Sequence, residues 1–190
     1  MSSPAFIVDG FTEKLVIGSL CPGRPVSRTD LNGKSVTLEA IANKIASLIR
    51  LFNNRHYPII VIIDREQREE HCDDLCRILS SRLENLGLNN QDIRICFADR
   101  MFENWIVADW KVISDKHPKP NETDGLGGAS VIKKALGSYN KTTDGVNLFL
   151  KCDLKTVYNN SSSFKKFVDL VSDIDCRYLK FETDIKEVSL

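Results

Sequence analysis

The fold is determined by the segment Ile59-Ile60-Val61-Ile62-Ile63-Asp64, in which five β-branched residues lead into a carboxylate. A shorter segment of the same kind, Ala5-Phe6-Ile7-Val8-Asp9, lies near the N-terminus. Apolar runs without polar alternation are typical of strands buried on both faces, as in a parallel sheet covered by helices. In open α/β sheets the ligand crevice lies beyond the carboxyl ends of the strands. We therefore expect Asp9 and Asp64 to meet at one edge of such a sheet.

Each of these two strand ends is followed by a second carboxylate. Glu13 comes four residues after Asp9, and Glu66 comes two residues after Asp64. In an extended segment, residues two apart point to the same side, whereas Glu13 fits the first turn of a following helix. A site rich in carboxylate oxygens suits Mg²⁺ or Mn²⁺. The alternative is that these residues only form turns or interact with a helix dipole.

The rest of the chain alternates between helical and strand-like patterns. Apolar residues recur at helical spacing over 37–52 and 69–86, and Thr12 is a possible helix cap. Further helices are predicted over 102–113 and 131–136 and after Ser161-Ser162-Ser163, which supply caps, and further strands over 93–97, 146–150 and 177–181. This order predicts an α/β fold with a mostly parallel, Rossmann-like sheet flanked by helices.

Composition limits the classes of function. The chain has 190 residues, enough for one domain over 1–190, and its 26 Lys and Arg balance 26 Asp and Glu. A neutral chain has no global basic field, so a polyanion would be held by a local basic patch or through metal ions. The six cysteines are dispersed, and we find no apolar run of membrane length and no signal-peptide pattern. We expect a cytoplasmic protein with no membrane partner.

Two local strings carry a resemblance to a known fold: Ile7-Val8-Asp9-Gly10-Phe11-Thr12-Glu13 and Ile62-Ile63-Asp64-Arg65-Glu66. They resemble the Toprim fold, the catalytic domain of topoisomerases, bacterial primases and overcoming-lysogenization-defect nucleases. Asp9 stands where those families usually have Glu, and Glu66 stands where they usually have Asp.

Three further strings resemble a small stand-alone Toprim-like family, domain of unknown function 4276, whose members are often associated with ATPases of the structural-maintenance type. They are Phe102-Glu103-Asn104-Trp105 followed by Ala108-Asp109, the segment 139–144, and Ser162-Ser163-Phe164-Lys165-Lys166-Phe167. Together with the two strand ends, these matches are spread over most of the chain. The resemblance implies the Toprim-like fold named above.

The resemblance also implies a metal-dependent nuclease. Hydrolysis of a phosphodiester in DNA or RNA needs charge neutralisation and an activated water, which one or two divalent ions supply. On this interpretation Asp64 and Glu66 bind metal, Asp9 and Glu13 act as ligands or general bases, and Glu103 reaches the same crevice. The family context implies a bacterial anti-phage defence role with an ATPase partner of the structural-maintenance or ABC type, in a homo- or hetero-oligomer.

A rival interpretation is a catalytically degenerate regulatory subunit that docks on the ATPase. Its sequence support is the exchange of side-chain length at Asp9 and Glu66, together with the aromatic-rich segment 102–110.

A candidate nucleic-acid-binding patch consists of Arg65, Arg68, Lys165 and Lys166. The two lysines follow a serine-rich helix start, whose backbone amides attract anions. Scattered basic residues on a solvated surface are the alternative for each of the four.

Overall fold

The computed structural model describes residues 3–31, 36–176 and Leu179. The strands are β1 (Ala5–Val8), β2 (Val26–Arg28), β3 (Ile59–Asp64) and β4 (Ile93–Ala98). They form an all-parallel sheet in the order β2-β1-β3-β4. In the register of this sheet Val8 lies beside Ile62 and Asp64 lies beside Ala98. The carboxyl ends of β1, β3 and β4 therefore share one edge.

Eight α-helices accompany the sheet in the described part of the chain. They are α1 (Phe11–Leu20), α2 (Leu38–Leu51), α3 (Cys72–Leu83), α4 (Glu103–Ala108), α5 (Gly128–Leu136), α6 (Val146–Phe149), α7 (Leu154–Asn160) and α8 (Ser162–Leu170). The alternation of strands and helices over the first half of the chain is the pattern that produces parallel sheets.

Side chains of β1 and β3 alternate between two hydrophobic clusters. Phe6 and Ile60 pack in the cluster that includes buried residues of α1 and of α4 to α8, whereas Ile7 and Val61 pack against α2 and α3. All ten residues of these two strands are buried. Helices therefore cover both faces of the sheet, which confirms the predicted α/β class and is consistent with a Rossmann-like or Toprim-like fold.

An aromatic cluster fixes α4 beside the sheet. Trp105 is fully buried, stacks on Phe167 with ring centroids 5.4 Å apart, and donates its indole N–H to Ser163 Oγ at 2.9 Å. Phe102 lies 4.9 Å from Trp105 and 5.1 Å from Phe149. These contacts hold the start of α4, and with it Glu103, at the carboxyl edge of the sheet.

Most predicted elements are present, with shifted ends. The helix predicted over 37–52 is α2, and Thr37 caps it by accepting a hydrogen bond from Ala40 N at 3.2 Å. The helix predicted over 69–86 is α3, and Gly87 (φ 84°) takes the left-handed conformation just beyond it. The predicted strand 93–97 is β4, and the helix predicted after the serines 161–163 is α8, which begins earlier, at Ser162, and is capped by Ser161.

Three predictions differ from the structure. The segment 146–150 is a helix, α6, because a tight turn before it directs Phe149 into the core, and four apolar residues fit either type of element. Gly10, not Thr12, is the residue at the N-cap of α1. The helix predicted over 102–113 ends at Ala108 and continues as a short 3₁₀ turn.

The strand β2 was not predicted, because it is only three residues long and each is half-buried. The strand predicted over 177–181 lies outside the described residues, apart from Leu179, which is in a turn.

Two further features concern the described part of the chain. A disulfide joins Cys21, at the end of α1, to Cys176, beyond α8, with Cα atoms 4.8 Å apart. Among the described residues, no helix combines the length and the apolar character needed to cross a bilayer.

Candidate functional site

Asp9 and Asp64 meet at the carboxyl edge of the sheet. Asp9 directly follows β1, Asp64 is the last residue of β3, and the two strands are neighbours in parallel register. Both residues are buried, with exposed fractions of 6% and 7%. The backbone of Asp64 lowers the pKa of Asp9, against the larger effect of burial, so the two strand ends interact. Asp9 and Asp64 therefore lie together at one edge of the sheet, as expected.

Glu13 and Glu103 complete a cluster of four carboxyls, which we call the carboxylate cluster: Asp9, Glu13, Asp64 and Glu103. Glu13 lies in the first turn of α1 and Glu103 begins α4, and both are buried. Gly10 allows Glu13 to fold back toward the sheet, because a Cβ at position 10 would lie 2.7 Å from Glu13 Oε2.

Burial and mutual repulsion shift the ionisation of the carboxylate cluster. Burial raises the pKa of Glu13 to about 7, with the charges of Glu103 and Asp9 adding to the effect and Lys141 opposing it. Burial also raises the pKa of Asp64 well above its usual range, and the charges of Glu13, Glu103 and Asp9 act in the same direction. The pKa of Asp9 is raised by burial as well. The cluster therefore favours protons or another source of positive charge.

Specific donors hold three of the four carboxyls. Asp9 Oδ1 accepts a hydrogen bond from Thr29 Oγ1 at 2.8 Å, and Asp64 Oδ1 accepts one from Phe102 N at 2.8 Å. Glu103 Oε1 lies 3.1 Å from Lys141 Nζ. Each bond fixes the direction of one carboxyl toward the shared edge of the sheet.

Glu103 is only half satisfied. Tyr139 OH also approaches Oε1, at 3.5 Å, but Oε2 is buried and has no hydrogen-bond partner in the described structure. A buried carboxylate oxygen without a donor or a cation is costly. This oxygen therefore provides an open ligand position for a cation.

Thr29, Tyr139 and Lys141 are site residues that sequence reasoning did not assign. Thr29 follows the unpredicted strand β2, so nothing local connected it to Asp9. The segment 139–144 did carry part of the family resemblance, which was the available signal for Tyr139 and Lys141.

Glu66 does not extend β3 as expected. The strand ends at Asp64, and Glu66 has a left-handed backbone (φ 58°), with its N–H donated to Arg100 O at 2.7 Å. Asp64 and Glu66 are therefore not placed on one side by an extended backbone. The charge of Glu66 still acts on Asp9. It raises the pKa of Asp9, although less than burial does. It lies at the border of the carboxylate cluster.

The predicted arginines are engaged with the protein. Arg65 Nε donates to Asp99 Oδ1 at 2.6 Å, and its Nη1 donates to Arg68 O. Arg68 donates to three backbone carbonyls, those of Val36, Asp64 and Arg65. Arg68 thus holds the turn after β3, and its charge lowers the pKa of Asp9, against the larger effect of burial.

The two predicted lysines point to different partners. Lys165 Nζ lies 5.3 Å from the ring centroid of Tyr158 and lines a polar cavity of about 550 Å³ with Asp99 and Asp124. Lys166 Nζ pairs with Asp73 of α3 at 2.5 Å. The structure therefore places Lys165 beside a cavity near the end of β4 and Lys166 on the surface between α8 and α3.

The N-terminus of α8 already holds an anion from the chain itself. The carboxylate of Asp124 accepts hydrogen bonds from Ser163 N at 3.0 Å and from the hydroxyls of Ser161, Ser162 and Ser163 at 2.8 to 2.9 Å. A side-chain carboxylate thus takes the position that the sequence suggested for a bound phosphate.

The donor set of the carboxylate cluster suits Mg²⁺ or Mn²⁺. Its ligand atoms are hard carboxylate oxygens, and Glu103 Oε2 has no partner. Within the residues that the structure describes, however, no three His, Cys, Asp or Glu side chains are arranged as a ready metal site. The chemistry of the donors fits a divalent cation, whereas their arrangement in the described structure is not that of a ready metal site.

The chain belongs to a known family. The sequence model of the family described as Domain of unknown function (DUF4276) matches residues 9–172, which include all of the carboxylate cluster. Comparison with curated proteins and with solved structures returned no match. This match establishes the family, whose description names no activity.

Proposed function

We propose that this protein is a metal-dependent nuclease that hydrolyses phosphodiesters in DNA or RNA. The observation that carries the proposal is the carboxylate cluster, which gathers four buried carboxyls from β1, α1, β3 and α4 at the edge where open α/β sheets bind ligands. Lys141 contributes one positive charge against these four groups. A divalent cation would relieve the remaining repulsion.

The chain's own residues have distinct roles in this proposal. Asp9, Glu13, Asp64 and Glu66 are the candidate ligands for Mg²⁺ or Mn²⁺, and the open oxygen of Glu103 adds a further one. When bound, the cation neutralises phosphate charge and makes water a stronger nucleophile. Glu13 suits proton transfer at neutral pH, because its pKa is about 7.

Nucleic acid would approach along the basic residues near the same edge. Lys165 is the best placed of the predicted patch, because it lines the cavity beside Asp99. Arg65, Arg68 and Lys166 are engaged with protein groups and would contribute less. A neutral chain with few available phosphate contacts would bind nucleic acid weakly alone.

A partner would then supply much of the affinity. By its resemblance to the Toprim-like families, the protein would act in the cytoplasm as the effector of a bacterial anti-phage defence system. Its partner would be an ATPase of the structural-maintenance or ABC type, in a homo- or hetero-oligomer.

The test compares the wild-type protein with Asp64→Asn and with the matched control Asp115→Asn, whose side chain is exposed. Labelled single-stranded DNA, double-stranded DNA and RNA are incubated with each protein in Mg²⁺, Mn²⁺ or EDTA, with and without the ATPase. We expect cleavage by the wild type and the control only with metal, and a loss of at least about 100-fold in Asp64→Asn. Equal cleavage by all three proteins would overturn the assignment.

A second candidate function is a regulatory subunit of the ATPase without chemistry of its own. It is favoured by one observation: Lys141 already neutralises part of the carboxylate cluster, whose members are not arranged as a ready metal site. Melting the same proteins over a range of Mn²⁺ concentrations separates the two functions. A site in the folded state raises the wild-type midpoint as metal is added, by mass action, whereas the regulatory subunit shows no shift up to millimolar Mn²⁺.

A further inference from the structure

The segment before α6 is a tightly built turn. Asn140 Oδ1 accepts hydrogen bonds from Thr142 N at 3.0 Å and Thr143 N at 3.2 Å, and Asp144 Oδ2 accepts one from Asn140 N at 2.8 Å. These bonds tie both ends of the turn to Asn140. The residues on either side of Asn140, Tyr139 and Lys141, are therefore held in fixed positions.

The turn is pressed against the carboxylate cluster. A Cβ at Gly145 would lie 2.6 Å from Tyr139 OH, so the glycine leaves the space that this hydroxyl occupies, whereas Thr12 Cγ2 of α1 would be at an ordinary contact distance of 3.5 Å. Tyr139 OH and Lys141 Nζ, on either side of Asn140, both reach the same atom, Glu103 Oε1.

The two partners of this ion pair differ sharply in exposure. The side chain of Glu103 is 1% exposed, whereas that of Lys141 is 54% exposed. The ammonium can be rehydrated by rotation of its own side chain, because half of that side chain already faces solvent. The carboxylate, which is 1% exposed, has no such freedom and needs a positive charge beside it. The ammonium is therefore the exchangeable member of the pair.

We propose that Lys141 is a built-in counter-ion of Glu103 that competes with a divalent cation for the carboxylate cluster. The inference rests on the metal binding of the proposed function. Without metal, Lys141 occupies Oε1 and lowers the repulsion among the four carboxyls. Glu103 Oε2, which has no partner in the described structure, would help to hold a divalent cation, and Lys141, repelled by that charge, would then turn into solvent.

The test measures Mn²⁺ affinity by calorimetry on the metal-free full chain. Lys141→Met removes the competing charge, so we expect its apparent Kd to be about three- to tenfold lower than that of the wild type. Lys141→Arg keeps the charge and should stay within about twofold of the wild type. Lys133→Met removes an exposed lysine of α5 and is the matched control.

A second measurement needs no metal. In EDTA, Lys141→Met should lower the free energy of unfolding more in the wild-type background than in a Glu103→Gln background, because the counter-ion matters only while Glu103 is charged. Equal losses in both backgrounds would overturn the proposal. So would unchanged or weaker Mn²⁺ binding by Lys141→Met when the wild type binds the metal, and in that case the metal site itself would stand. A wild type that binds no Mn²⁺ would instead overturn the proposed function, and the competition with it.

Discussion

The raised pKa of Glu13 lowers the stability of the folded protein when Glu13 is ionised, and it also suits Glu13 to act as a general base. Burial is the main reason that its pKa rises to about 7, and the neighbouring charges of Glu103 and Asp9 raise it further. A carboxyl with such a pKa exchanges protons at neutral pH, as a general base must. Without metal, the folded protein accommodates the ionised form of Glu13 less well than the unfolded chain does. The raised pKa of Glu13 should therefore make the free energy of unfolding depend on pH.

The free energy of unfolding of the metal-free protein should fall as pH rises. The pKa of Glu13 is 4.5 in its ordinary state and about 7 in the folded protein, so the stability it contributes is complete below about pH 4.5 and lost through pH 7. Glu13→Gln removes this loss and should stabilise the protein by roughly 2–3 kcal/mol at about pH 8, with little effect near pH 4.5.

Urea unfolding in EDTA across this pH range measures the effect. Glu122→Gln, in an exposed loop, is the control and should follow the wild type. A Glu13→Gln profile parallel to that of the wild type would mean that Glu13 ionises normally in the folded state.

The contact between α4 and α5 places Glu103. Gly128 begins α5, and a Cβ there would lie 2.9 Å from both Asn104 N and the carbonyl carbon of Glu103. These are backbone atoms, which cannot rotate away as the end of a side chain can. The two helices can therefore meet this closely only at a glycine, and their meeting determines where the carboxyl of Glu103 begins.

Alanine at two glycines should have opposite effects. Gly128→Ala should lower the free energy of unfolding by about 2–3 kcal/mol, because α4 and α5 must separate, and it should also weaken Mn²⁺ binding through Glu103. Gly18→Ala lies within α1, where an added Cβ meets no atom within 4 Å, and it should raise the free energy by up to about 1 kcal/mol. Chemical denaturation of both variants checks the pair. Similar stabilities for the two would show that the close approach at Gly128 is not rigid.

The layered arrangement of the molecule could be predicted because β1 and β3 are continuous apolar runs, and such runs need cover on both faces. Asp9 and Asp64 followed from those strands. The contact of Lys141 with Glu103 could not, because it depends on a turn packed against helices distant in sequence. The turn at Glu66 could not either, since its left-handed backbone is stabilised by the carbonyl of Arg100.

The disulfide is the covalent link that spans most of the fold. Cys21 and Cys176 are 155 residues apart in sequence, so the bond joins α1 to the segment beyond α8. Closing so long a loop restricts the unfolded chain strongly. Such bonds are uncommon in the reducing cytosol, where the two cysteines would be kept as free thiols. The oxidation state of this pair therefore bears on both the stability and the compartment of the protein.

The oxidised wild type should be more stable than the double variant Cys21→Ser/Cys176→Ser by about 2–4 kcal/mol, because the loop entropy of the unfolded state is lost with the bond. Urea unfolding with and without dithiothreitol measures this difference. The reductant should bring the wild type down to the level of the double variant. It should leave the variant unchanged, since the variant keeps Cys72, Cys76, Cys96 and Cys152, which are unpaired thiols. If dithiothreitol has no effect on the wild type, the two cysteines are unpaired in solution, and the fold is then held by its two hydrophobic clusters without the covalent link.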